Sequence, residues 1–180
     1  MEYNTNNIKN KNQKRKAALA MKNSIEALRF QTLWRLKKLG LIDEFHEENQ
    51  DDNNILRQAV AEITEINELG LTLDLLSLKR MIDGIKQYLL LEPVEGKGDL
   101  QTSIVAFALG ITKQEVVTEN NVWSSWYLLK NKKILSLYYP SQQRNRVVDW
   151  VRNNGCNTST YLGQPIVRLE HLYIMIKNAR

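Results

Sequence analysis

The first glycine or proline in the chain is Gly40. Ahead of it Ala17, Leu19/Ala20, Ile25, Leu28, Leu33/Trp34, Leu36 and Leu39 recur every three to four residues, the period of one helix face. With no turn residue to interrupt it, this segment reads as one long amphipathic helix from about residue 12. A glycine able to take the left-handed conformation ends it. Its polar side carries Lys14, Lys16, Lys22, Arg29, Arg35, Lys37 and Lys38.

The same pattern divides the chain beyond Gly40. Asp52 or Asn53 caps a second helix, with Ile55, Leu56, Val60, Ile63, Ile66 and Leu69 as its stripe and Gly70 as its stop. A third runs from about Thr72 to Leu91, where LEPVEGKGD supplies a proline and two glycines. The expected organisation is a flexible basic arm over 1–12, an antiparallel helical bundle over 13–91, a linker at 92–98 and a small helical unit over 99–180. Within that unit, Asp99 or Thr102 opens a short helix through Leu109, and Thr112 opens the next. Ile134–Tyr139 is either a helix end or a short extended piece resembling a wing. QQRNRVVDWVRN comes next as a helix ended by Asn153-Asn154-Gly155, and CNTSTYLGQ reads as loop. A last helix is expected from Pro165 through Ile166, Leu169, Leu172/Tyr173 and Ile176. The expected fold class is all-α.

Composition sets the outer bounds. Of 180 residues, 43% are hydrophobic and 25% charged, ordinary values for a chain with a real core. No apolar run approaches the roughly 20 residues of a membrane span, and the start, MEYNTNNIKNKNQKRK, lacks a secretory apolar segment. The expected location is cytoplasmic, with no membrane partner. The net charge of +5 conceals sign blocks. Residues 1–38 hold ten Lys/Arg against Glu2 and Glu26, and residues 39–76 hold ten acids against Arg57. Blocks of this size point to polyanion binding by the basic part and to a solvated or self-masking acidic face.

The residue types that carry catalysis are scarce. Phosphate-binding glycine loops are missing: EGKGD follows a helix, with no strand before it. His46 sits among Glu47 and Glu48, and His171 lies in LEHLY, where packing explains it. Asp43/Glu44 and Asp51/Asp52 fall in a polar loop, without the burial or close pairing that tunes a carboxylate for acid–base work. Cys156 has only Arg152 as a basic neighbour, and one Cys with two His makes no zinc set. The chain is therefore expected to be non-enzymatic, without cofactor or metal.

A binding function is the better reading. Residues 102–133 contain a candidate helix-turn-helix in two registers. In the first, Ala106 is the small crossing residue, Gly110 the turn and Val116 the lock. In the second, Thr112–Glu119 is the first helix, Asn120 the turn, and Trp126 and Leu129 the locks. Glu119 falls on an apolar position in both. The second register presents Asn121, Ser124 and Ser125 to base edges, with Lys130, Lys132, Lys133, Arg144 and Arg146 on phosphates and Lys14, Arg15 and Lys16 as a flexible arm. Trp123, Trp126, Tyr127, Tyr138, Tyr139 and Trp150 interleave with these cations, a mixture also suited to single strands. The expected function is DNA binding by a regulator or accessory factor of a mobile element or phage. The first three helices would support a homodimer or a protein partner. The alternatives are a helical protein–protein adaptor and an RNA-associated subunit that tracks phosphates without reading sequence.

Overall fold

In the computed structural model, residues 3–43, 54–113 and 133–179 are described. The element order is α1 (Tyr3–Lys38), α2 (Asn54–Glu68), α3 (Thr72–Leu89), α4 (Ile104–Ala108), β1 (Ile134–Pro140), α5 (Arg144–Asn153), β2 (Thr158–Tyr161), β3 (Gln164–Arg168) and β4 (Tyr173–Ala179).

Glycine ends α1, α2 and α4 by one repeated mechanism. Gly40 N donates to Lys37 O and Leu41 N to Leu36 O; Gly70 N and Leu71 N bond Asn67 O and Ile66 O; Gly110 N and Ile111 N bond Phe107 O and Ala106 O. Each glycine has a φ near +70°, and the paired bonds satisfy carbonyls that a helix end otherwise leaves unpaired. α1 begins at Tyr3, so the backbone expected as a flexible arm is continuous with the amphipathic helix. Lys14, Arg15 and Lys16 stand on that helix.

The all-α expectation is wrong for the C-terminal part, which forms a four-stranded mixed sheet in the order β1-β4-β3-β2. β1 pairs parallel with β4, from Ile134↔Tyr173 to Pro140↔Ala179, and β3 pairs antiparallel with both β4 and β2. The segment read as a last helix from Pro165 is β3 and β4, and CNTSTYLGQ contains β2. Ile174, Met175 and Ile176 are consecutive and all buried. A strand covered on both faces shows no alternation, and such a run cannot be told from a buried helix by period alone. Ile134–Tyr139, which the sequence allows as helix end or extended piece, is strand. The helix expected in QQRNRVVDWVRN is present as α5, burying Val147, Val148 and Val151.

One hydrophobic core runs through both halves. Leu28, Ile66, Leu75 and Ile82 of the helices share a contact cluster with Val105, Leu135, Val147 and Ile174. Residues 92–98 therefore connect two parts of one core. Val94 N donates to Tyr138 O at 2.7 Å, and Ser136 N donates to Asp99 Oδ2 at 2.7 Å. At Gly98, φ +117°, a Cβ would meet Ser136 O at 2.9 Å, so the close approach to β1 requires glycine. Gly84 plays a similar part inside α3, where a Cβ would collide with the ring of Trp150 on α5.

Tyr139 is fully buried with no partner for its hydroxyl among the described residues. Burial, reinforced by the charge of Glu92, pushes its ionisation well above the ordinary phenol value. Tyr139→Phe is expected to raise stability by up to about 1 kcal/mol, because it removes an unsatisfied polar group at nearly constant volume. Urea unfolding checks this; a loss of stability would show that the hydroxyl is satisfied in solution.

Candidate nucleic-acid interface

The sequence-derived cations fall on separate elements. Lys14, Arg15 and Lys16 are exposed on α1, where every side chain from Lys14 to Asn23 is exposed and Ser24 is buried. Lys133 is exposed immediately before β1, and Arg146 is exposed on α5. Lys133 immediately precedes β1, and Arg144 opens α5 beyond the other end of that strand. Asn121, Ser124, Ser125, Lys130 and Lys132 lie outside the described residues, as do Val116 and Glu119 of the two helix-turn-helix registers. Of the first register, Ala106 is fully buried, Gly110 ends the five-residue α4, and Ile111 is buried after it.

Arg144 is committed to the fold. Its Nε donates to Ile176 O at 3.0 Å and its Nη2 to Gln164 Oε1 at 2.9 Å, tying α5 to β4 and β3. The remaining α5 surface and the β2–β3 hairpin enclose a cleft of about 290 Å³ lined by Arg144, Asn145, Arg152 and Thr160. The hairpin turns through Leu162 and Gly163, both at positive φ, the pattern of a tight two-residue type I′ loop. Of the aromatic residues read beside the cations, Trp150 stacks on Tyr88 at 6.1 Å and Tyr138 lies under Lys177 at 5.6 Å.

A second cleft, unforeseen in the sequence, is more distinctive. It measures about 350 Å³ between α1, α3 and the end of α4, and is lined by Phe30, Trp34, Arg35, Lys79, Lys86 and Gly110 among others. Phe30 is 65% exposed and Trp34 48% exposed. Leu28, Thr32 and Leu36, all fully buried, mark the core stripe of α1. Phe30 and Trp34 each follow a stripe residue by two positions, about 200° around a helix of 3.6 residues per turn. That offset is the signal in the sequence, although the spacing of apolar residues groups Trp34 with Leu33 as core. Lys38 Nζ sits 5.1 Å from the Trp34 ring centroid, a cation–π distance.

The titratable residues are mostly engaged structurally. Asp74, fully buried, accepts from His171 N at 2.7 Å and Leu172 N at 2.9 Å, and its Oδ2 lies 3.1 Å from His171 Nδ1. With Glu170 these residues offer three ligand atoms within 4.8 Å of one another, but the Asp74 oxygens already hold the β3–β4 loop. Burial pushes the Cys156 thiol up, away from the thiolate that would make it a nucleophile. Glu92 is paired with both Lys113 and Lys86. Hydrogen bonds from Lys113 first and Lys86 second hold its carboxyl below the ordinary value of 4.5.

The lowered folded-state value makes Glu92 a source of stability that is present above pH 4.5 and lost as pH falls through the folded value. Glu92→Gln is expected to be less stable than the parent near neutral pH and to converge with it below 4.5. Urea midpoints of the two proteins across that window check the prediction. A constant difference at all pH values would mean that the contact is packing rather than charge.

No helix among the described residues is long and apolar enough to cross a membrane. No family model and no curated protein matches the chain.

Proposed function

We propose that this chain is a non-enzymatic nucleic-acid-binding protein, with DNA as its ligand and α1 as its main phosphate-contacting element. The observation that supports this reading is the character of α1. It carries ten Lys/Arg with Glu26 as its single acid, and its side chains from Lys14 to Asn23 project clear of the core. Lys14 to Asn23 span about 15 Å of helix with every side chain exposed. A helix standing in solvent gains little from packing, whereas a row of cations along it gains from counterion release on a polyanion.

Gel shifts with duplex DNA, single-stranded DNA and RNA across a salt series test the reading. Replacing Lys14, Arg15 and Lys16 together with Gln is expected to weaken binding and to reduce the slope of log K against log salt by about 2 to 3. Absence of salt-dependent binding to every nucleic acid would defeat the proposal. Exposed Leu19 and Met21 on the same helix would then point to a protein partner.

A further inference from the structure

We infer that the cleft between α1, α3 and the end of α4 stacks unpaired bases of single-stranded DNA. This rests on the nucleic-acid reading and names the ligand class of one site within it. Phe30 and Trp34 are an i, i+4 pair, neighbours on one helix surface, and both rings stand largely in solvent. Exposed aromatic side chains leave apolar area uncovered, and the core has no use for these two. Lys38 occupies one face of the Trp34 indole, which directs stacking to the other.

The surroundings select the occupant. Arg35, Lys79 and Lys86 line the cleft, with Lys79 paired to the lining acid Asp83 and Lys86 to Glu92 outside the lining. Lys37 and Lys38 close α1 beside it. Aromatic faces within a cationic rim match a strand whose bases are free to stack and whose phosphates run past them. A duplex keeps its bases stacked internally and offers no such face. An apolar peptide would have to cover the charged Arg35, Lys79, Asp83 and Lys86 that share the lining with the rings. RNA recognition draws on groups that read the 2′-hydroxyl. Gln31 in the lining could bond that hydroxyl, so DNA is named because it is the ligand of the proposed function, and the oligouridylate arm of the experiment tests that choice. Gly110 contributes backbone alone at the α4 end, where space for a side chain is open.

Fluorescence anisotropy on the full chain tests the inference with a labelled oligothymidylate of about 20 nucleotides, the matching oligouridylate and a mixed-sequence duplex. The Phe30→Ala/Trp34→Ala double variant is expected to lose about tenfold to a hundredfold in affinity for oligothymidylate. Its duplex affinity at the same salt should change less than about twofold, because the phosphate contacts remain. Trp34→Phe, which keeps an aromatic face, should retain most of the binding, and unchanged urea midpoints would show that the variants fold. Oligothymidylate affinity unaltered in the double variant would overturn the inference, as would binding of duplex alone by the parent protein. A preference for oligouridylate would overturn the assignment to DNA. Failure of the parent to bind any of the three would instead overturn the reading on which the inference rests.

Discussion

Asp74→Ala is expected to destabilise the protein by about 3 to 4 kcal/mol. Asp74 is fully buried in the first turn of α3, and its Oδ1 receives two backbone N–H groups, from His171 and Leu172. The carboxylate thus serves the positive end of α3 and terminates the loop that leads into β4. Alanine would leave both donors facing a buried space without an acceptor, at about 1 to 3 kcal/mol for each. Part of that cost is relieved at His171, whose side chain is 48% exposed and admits water. Urea unfolding measures the loss directly, and the melting temperature should fall by roughly 10 °C for a chain of this size. Asp74→Asn keeps one acceptor oxygen and should cost about half as much. His171→Ala leaves both backbone bonds intact and should cost about 1 kcal/mol or less. If Asp74→Ala remained within about 0.5 kcal/mol of the parent, the β3–β4 loop would be holding itself.

The position of Asp74 also explains what the sequence concealed. Residues 39–76 read as a solvated or self-masking acidic face, yet two of its ten acids, Glu62 and Asp74, are buried acceptors. Their partners lie 41 to 43 and 97 to 98 residues further along the chain. Charge counted along a sequence records sign and spacing, and burial depends on what returns from far away. The sheet was hidden for the same reason. Ile134 pairs with Tyr173 and Val167 with Ile174, and β4 is stabilised by neighbours on both sides rather than by a local pattern. Helix ends at Gly40, Gly70 and Gly110 were legible because a left-handed glycine acts on the four or five residues before it.

The candidate site divides along the same line. The exposed cations of α1 follow from the composition of one helix, whose periodicity already puts Lys14 and Lys16 on its polar side. The aromatic cleft needs Lys79 and Lys86 from α3 and Gly110 from the end of α4, and no single segment announces that meeting. Phe30 and Trp34 could have been separated from the core only by fixing the buried stripe first. Arg144 has a structural role that its charge alone did not announce. Its charge suggested a phosphate contact, while its guanidinium spans Ile176 O and Gln164 Oε1, bonds that only the folded sheet supplies.

Glu62→Ala is expected to cost about 3 to 5 kcal/mol, and it couples stability to the cleft. Glu62, 5% exposed on α2, accepts from Ser103 Oγ at 2.7 Å, Ile104 N at 3.0 Å and Val105 N at 3.1 Å. Ser103 Oγ in turn accepts from Ala106 N at 3.0 Å, and Phe107 N reaches Ser103 O at 3.0 Å. Every N–H of the first turn of α4 is therefore satisfied, three of the four through Glu62 and Ser103 together, which is what lets so short a helix be buried. Because Glu62 and Ser103 act as one network, their truncations should not add. A double-mutant cycle of Glu62→Ala and Ser103→Ala is expected to show a coupling of about 1 kcal/mol or more, and strict additivity would refute the shared cap. Glu62→Gln turns one acceptor into an amide donor beside Val105 N and should cost about 2 kcal/mol. α4 leads directly to Gly110 at the rim of the aromatic cleft. Loosening its start should therefore weaken oligothymidylate binding at temperatures where Glu62→Gln is still folded, while the phosphate contacts of α1, anchored elsewhere, keep their salt dependence.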